Sequence, residues 1–142
     1  MDIAKIVNSD GLHLGQDDLS VGIARRILGK DKIIGLSCHS LKQAQKAVSL
    51  GIDYISIGPV FATTTKPEYK PVGLILIKKA KDKIRIPFFA IGSINESNIE
   101  KSRASGAKRF AVCRAVCKAK DPALVTQRLS EAIRRRRINS HL

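Results

Sequence analysis

YISIGPVFATTTKPEYKPVG, residues 54–73, opens as a run of β-branched and apolar side chains. It then breaks into three threonines, two lysines and two further prolines. Such an opening suits a strand buried in a parallel sheet, and its polar overflow suits the carboxyl end of that strand, where α/β folds place their ligands. Four other runs share this character: GLHLG (11–15), IIGLSCH (33–39), PFFAIGSI (87–94) and RFAVCRAV (109–116). The five starts lie 22, 21, 33 and 22 residues apart, the pace of βα units, and the longer third interval holds the threonine loop. Right-handed crossovers then give a parallel sheet with helices on one outer layer or on both faces. Spacing alone leaves open a doubly wound sheet or part of a β/α barrel.

The helices between these runs mark their own ends. Ser40 and Gln43 form the pattern of a capping box ahead of LKQAQKAVSLG, where Leu41, Ala44, Ala47 and Val48 share a face and Gly51 closes the helix. Gly29 and Gly106 stop the helices before the second and fifth runs, and Asp121-Pro122 places a capping residue before a proline in the first turn. DIAKIVNSDG reads as a further helix with no strand in front of it.

The 142 residues suffice for one domain, read here as a single unit over 1–142 with a basic tail over 134–142. With 44% apolar but only 4% aromatic residues, the core must be built from Ile, Val, Leu and Ala. No apolar stretch approaches the roughly 20 residues that span a bilayer, so a cytoplasmic location is expected. Cys38, Cys113 and Cys117 make an odd count without CxxC spacing, which argues for free thiols rather than a disulfide or zinc framework. The 26 Lys and Arg against 12 Asp and Glu give a formal charge of +14, which attracts phosphates and other anions at long range. The RRRR run at 134–137 ends a predicted helix, where cations suit the dipole. No aromatic residues interleave with the basic ones, so nucleic acid is not an expected partner.

The strand ends carry a consistent set of groups. The first supplies Asp17 and Asp18; the second Ser37, Cys38 and His39; the third Thr63, Thr64, Thr65 and Lys66. The fourth supplies Gly92 and Ser93 at the start of a helix capped by Asn95, and the fifth Arg114 and Ala115. Hydroxyls, a lysine, an arginine and a helix N-terminus suit a phosphorylated ligand. Adjacent carboxylates suit a hard cation such as Mg²⁺, which bridges protein carboxylates and substrate phosphates, and Asp17 and Asp18 equally suit a lead into the next helix.

These motifs resemble the thiamine phosphate synthase family. The resemblance is carried by GLHLGQDDL, GLSCHS, GPVFATTTK followed by PVGL, AIGSI and AVCRAV, in the family's order and spacing over roughly residues 2–130. It implies a TIM-type parallel β/α barrel, here incomplete at about five βα units equivalent to strands 4–8. It also implies an enzyme of thiamine biosynthesis, a transferase that joins hydroxymethylpyrimidine diphosphate to thiazole phosphate and releases pyrophosphate. Carried over by position, Asp18 would be a Mg²⁺ ligand, and Ser37 and Lys66 would contact the pyrophosphate. Thr63 and Thr65 would hold the thiazole phosphate, with backbone amides near Ser93, Cys113 and Arg114. His39 stands as a packing or hydrogen-bonding residue, or as a proton-transfer group.

The chain departs from the family pattern in three places. Ser93 replaces the second glycine of a Gly-Gly pair and is expected to serve through its amide if its φ is not positive. Arg114 stands where serine is common. The first three strands, with the pyrimidine-binding segment and a second Mg²⁺ ligand, have no counterpart. Five βα units cannot close an eight-stranded barrel, so the chain is expected to associate with itself or with a complementing N-terminal half-barrel, or to be marginally folded. The leading expectation is a synthase half-barrel, active when complemented or descended from an active enzyme. The alternatives are a thiazole tautomerase using a histidine near His39, which the TTTK loop argues against, and a non-catalytic remnant that binds a phosphate ligand.

Overall fold

The structure, a computed structural model, describes residues 1–65 and 67–134. In chain order the elements are α1 (Asp2–Ile6), β1 (Gly11–Leu14), α2 (Val21–Leu28), β2 (Ile33–Cys38), α3 (Leu41–Ser49) and β3 (Tyr54–Ile57). They continue with α4 (Gly73–Lys83), β4 (Phe88–Ile91), α5 (Ile99–Ala104), β5 (Phe110–Ala111), α6 (Arg114–Cys117) and α7 (Pro122–Arg134). The strands form one parallel sheet in the order β1-β2-β3-β4-β5, so every strand pairs only with its neighbours in sequence. β1 and β5 are the two end strands; the sheet is an unclosed arc, as the five-unit reading expects.

Alternation along the strands divides the sheet into two faces. Ile34, Leu36, Cys38, Ile55, Ile57 and Ala90 are buried with Ala24, Ala44, Ala47, Ile77, Ala80 and Leu129 of the helices in one aliphatic core. Small alanines on α2, α3 and α4 let the helices approach the sheet closely. The opposite face carries His13, Gly35, Ser37, Tyr54, Ser56 and Phe89, and is polar at its centre.

The helix signals hold with local adjustments. Ser40 Oγ accepts from Gln43 N at 3.2 Å, while the Gln43 carboxamide reaches back to His39 N at 2.7 Å rather than to the cap itself. Gly51 follows α3 with φ 69°, a conformation that suits glycine, and Asp121 Oδ1 accepts from Leu124 N at 2.9 Å at the start of α7. Val48 is 37% exposed and stands outside the buried face to which periodicity assigned it. The apolar run 109–116 holds only a two-residue strand, because the chain turns into α6 at Arg114. The RRRR run begins at Arg134, the last residue of α7, and its other three arginines lie outside the described residues.

At the amino-terminal rim of the sheet, Arg25 is a hub. Its guanidinium donates to Asp53 Oδ2 at 3.1 Å, to Lys30 O at 3.1 Å, to Gly29 O and Gly51 O at 3.4 Å each, and to Lys32 O at close range. Asp53 Oδ2 also accepts from Ile34 N at 2.7 Å, tying α2 and the starts of β2 and β3 together. That backbone hydrogen bond, helped by Arg25, holds the Asp53 carboxyl below the usual carboxylate range. Among the described residues no helix is long and apolar enough to cross a membrane.

Candidate functional site

At the carboxyl-terminal rim the chain leaves β1 through Gly15-Gln16-Asp17-Asp18. Asp18 Oδ2 accepts from Gly15 N at 2.6 Å, which closes the turn and fixes the exposed carboxylate over the end of β1. Gln16 Nε2 donates to Ser37 O at 2.5 Å, joining this turn to the end of β2. Among the described residues there is no group of three or more His, Cys, Asp or Glu side chains able to hold a metal between them. Asp18 would thus supply at most one carboxylate of a Mg²⁺ donor set, the rest of which would have to come from water and phosphate oxygens.

Ser37 sits in a polar network that the sequence reading did not identify. Its Oγ lies 2.9 Å from His13 Nε2 and 3.3 Å from Ser56 Oγ, while His13 Nδ1 lies 3.0 Å from the Tyr54 hydroxyl. Gly35 makes this possible: a Cβ there would collide with the Tyr54 ring, which lies across β2 toward His13. Phe89 then meets Tyr54 edge-on, with ring centroids 5.5 Å apart. Desolvation by these neighbours lowers the His13 pKa, and the Asp18 carboxylate works in the opposite direction. A neutral imidazole donates through one nitrogen and accepts through the other, so His13 can orient both hydroxyls at once. The available signal was a histidine between two leucines in the first strand, on the alternate positions that face away from the helices.

His39, at the end of β2, is held at both ends. Its Nδ1 is 2.6 Å from Gly58 O, and because a carbonyl only accepts, Nδ1 carries the proton. Its ring stacks on Tyr69 with centroids 4.5 Å apart and planes at 23°.

The threonine loop leaves β3 through Gly58 and the buried Pro59 and Val60. Thr63 Oγ1 accepts from Thr65 N at 3.2 Å, curling the hydroxyl-bearing segment on itself. Thr63 is half-buried and Thr65 exposed. Lys66 lies outside the described residues.

Two expectations about the fourth strand end require correction. Ser93 does not open a helix: α5 begins at Ile99, because Asn95 instead forms a turn, accepting through Oδ1 from Ser97 N at 2.9 Å and through its carbonyl from Ile99 N at 3.0 Å. Ser93 also has φ 51°, in the left-handed region, contrary to the condition set for it. For a non-glycine residue this costs about 1–2 kcal/mol. The cost is offset by the Ser93 hydroxyl donating to Ala62 O at 2.7 Å and by the Ser93 carbonyl accepting from Asn98 Nδ2 at 2.8 Å. Among the described residues the Ser93 amide has no hydrogen-bond partner, so it remains a free donor beside the threonine loop. Gly92, at φ 106°, has no room for a Cβ against Pro59.

At the fifth strand end Cys113 is exposed and precedes the four-residue α6, and the exposed Arg114 side chain makes no ion pair among the described residues. The structure thus joins the predicted residues in two groups: Asp18 and Ser37 through Gly15, Gln16 and His13, and Ser93 with the threonine loop through Ala62. Both lie at carboxyl ends of strands in one sheet. A cavity of about 440 Å³ opens between α3, α4 and the 70–72 segment. His39 lines it, but Asp18, Ser37, Thr63, Thr65 and Ser93 do not.

A family model described as thiamine monophosphate synthase matches residues 1–116. A protein named thiamine-phosphate synthase from Prochlorococcus marinus (strain MIT 9313) is 48% identical over 134 residues, covering 94% of this chain and 38% of that protein. One of the same name from Lawsonia intracellularis (strain PHE/MN1-00) is 46% identical over 134 residues, covering 94% of this chain and 62% of its own length. The solved structure of thiamine phosphate pyrophosphorylase from Pyrococcus furiosus superposes with a TM-score of 0.85 at 34% identity, over 93% of this chain and 63% of that one. The chain spans less than two thirds of each of these relatives.

Proposed function

The chain belongs to the thiamine monophosphate synthase family, and from that membership we propose that it carries the pyrophosphate and thiazole phosphate side of a synthase active site. The observation that carries this reading is the placement of Asp18, Ser37 and the threonine loop at the carboxyl ends of β1, β2 and β3, three consecutive strands in parallel register. Such folds build their ligand sites at that end of the sheet.

In the proposed reaction the C–O bond between the pyrimidine methylene and the diphosphate breaks. Its electron pair leaves with pyrophosphate, and the thiazole nitrogen donates its own pair to the resulting cation. The barrier falls when negative charge on the leaving group is stabilised by groups already in place. Ser37, oriented by His13, and Lys66 serve that end of the substrate. Asp18, fixed by the Gly15 amide, would hold Mg²⁺, which supplies positive charge against the diphosphate when bound. Thr63 and Thr65 take the thiazole phosphate and bring the nucleophilic nitrogen to the cation, a positioning effect. The Ser93 amide can still donate to that phosphate, because the Ala62 and Asn98 contacts hold Ser93 in its left-handed conformation. Amides near Cys113 and the Arg114 side chain add donors at the next strand end.

The reading needs the other part of a barrel. β1 and β5 end the sheet among the described residues, and Ile3 and Ile6 of α1 with Val7 after it, which precede β1 in the chain, are 70%, 81% and 63% exposed. We place further strands along these edges, from a second copy or from a complementing half-barrel, in a cytoplasmic setting that keeps the three thiols reduced. Sedimentation tests this directly, and a sharp monomer with cooperative melting contradicts it. The function is tested by pyrophosphate release that requires Mg²⁺, hydroxymethylpyrimidine diphosphate and thiazole phosphate together. Release that persists in Lys66→Ala sinks the reading. Thiazole phosphate binding without turnover, in the complemented barrel, selects the non-catalytic binder instead. The committed Nδ1 and the stacked face of His39 weigh against a tautomerase.

A further inference from the structure

The hydroxyl-bearing part of the threonine loop has little to hold it. Among the described residues of 63–68, no hydrogen bond reaches beyond the loop, and the Thr65–Thr63 contact is internal. Its two ends, by contrast, are fastened. On the β3 side, Val60 N donates to Ile91 O at 2.8 Å, Phe61 N to Gly92 O at 3.3 Å, and the Ser93 hydroxyl to Ala62 O at 2.7 Å. On the α4 side, Val72 N donates to Pro59 O at 2.8 Å, and Gly73 N to Val60 O at 3.2 Å.

Between the last of the first set and the first of the second stands Tyr69, half-buried, with its ring flat on His39. His39 is a rigid support. Nδ1 is fixed on Gly58 O, its backbone amide is fixed on Gln43, and Ser40 caps the helix behind it. A stack on an anchored ring restricts both the tilt and the sideways travel of the loop, in a way that one backbone hydrogen bond cannot.

We infer that Tyr69, seated on the backbone-anchored imidazole of His39, is a positioning residue for the threonine loop, acting opposite the Ser93–Ala62 tether to hold Thr63 and Thr65 ready for a phosphate. This rests on the reading of that loop as a phosphate cradle. The advantage is preorganisation: a loop already pinned at both ends loses less freedom when it closes on a ligand. It also gives His39 a role that uses its ring face and Nδ1 without any proton transfer to substrate.

The test compares Tyr69→Phe, which keeps the ring, with Tyr69→Ala, which removes it, and with His39→Gln, which can still donate to Gly58 O but offers no stack. Hydrogen–deuterium exchange of peptides covering 61–70 reads the loop, and calorimetric titration with thiazole phosphate, in the complemented barrel, reads the site. Tyr69→Ala should speed exchange in this segment and weaken thiazole phosphate binding, each about tenfold, with the melting midpoint unchanged. Tyr69→Phe, which keeps the stack, should stay well short of Tyr69→Ala, His39→Gln should loosen the loop as well, and adding His39→Gln to Tyr69→Ala should change little further. Unchanged exchange in Tyr69→Ala overturns the inference. So does a Tyr69→Phe variant as loose as Tyr69→Ala, because the hydroxyl, rather than the stack, would then fasten the loop. If the parent fails to bind thiazole phosphate, the cradle reading falls and the positioning role falls with it, whereas faster exchange confined to 61–70 would still establish the stack as the loop's fastening.

Discussion

The two rims of the sheet are built from similar polar materials and treat them oppositely. At the amino-terminal rim, around the starts of β2 and β3, polar groups are closed inward: Arg25 serves four carbonyls and the Asp53 carboxylate, and Asp53 serves a strand amide. At the carboxyl-terminal rim, hydrogen bonds position groups without using them up. Gly15 holds one oxygen of Asp18, Ala62 holds the Ser93 hydroxyl but leaves the amide, and Arg114 has no ionic partner among the described residues. A rim satisfied by its own groups is scaffold, and a rim with prepared but unspent donors is a place for a guest. This is the division of labour expected of β/α barrels.

The sharpest way to break the comparison is Asp18→Asn. The amide oxygen can still accept from Gly15, so the melting midpoint should not move. Pyrophosphate release by the complemented enzyme should fall by about 10²-fold or more. A lowered midpoint with activity retained would move Asp18 to the scaffold. The converse is Arg25→Ala, which should cost about 2–3 kcal/mol in urea denaturation, because it strips several carbonyls and a carboxylate of their partner. Ligand affinity of the folded fraction should be unaltered.

Gly35→Ala should lie between the two kinds of effect. Forcing Tyr54 off β2 should cost about 1–3 kcal/mol through overpacking and also release His13 from Tyr54, whereas Tyr54→Phe should cost about 1 kcal/mol through the lost hydrogen bond alone. Equal losses in both would show that packing plays no part.

The smallest effects are in pH. The folded Asp53 pKa is lowered, so its contribution is present above the unfolded value near 4 and is lost as pH falls through the folded value. Asp53→Asn should flatten the acid limb of stability below about pH 4. The folded His13 pKa is also lowered, so stability should decline as pH drops below about 6.5, the unfolded value, and level off below the folded one. His13→Gln should remove that shallow step, read from denaturation midpoints between pH 5 and pH 8 by the same linkage.

Much of this arrangement is legible in the sequence itself. Regular spacing of apolar runs gave the five strands, because each βα unit needs about the same length of chain to cross over. The threonine loop stood out because a buried strand rarely ends in so many hydroxyls without a use for them. The His13–Tyr54–Ser37 network was harder to read, since it depends on which strand face each residue occupies and on a single glycine making room for a ring. Ser93 and Asn95 misled for a local reason. An asparagine that closes its own turn mimics a helix cap, and the helix starts a turn later. RFAVCRAV misled because an apolar run cannot by itself distinguish a strand from a helix.

The strictly sequential order of the sheet has a kinetic consequence. Each strand finds its partner about 20 to 33 residues along the chain, and among the described residues no strand pairing spans a longer separation. The entropy of closing such short loops is modest, so the arc should assemble rapidly by successive addition of neighbours, and even while its later units are still being synthesised.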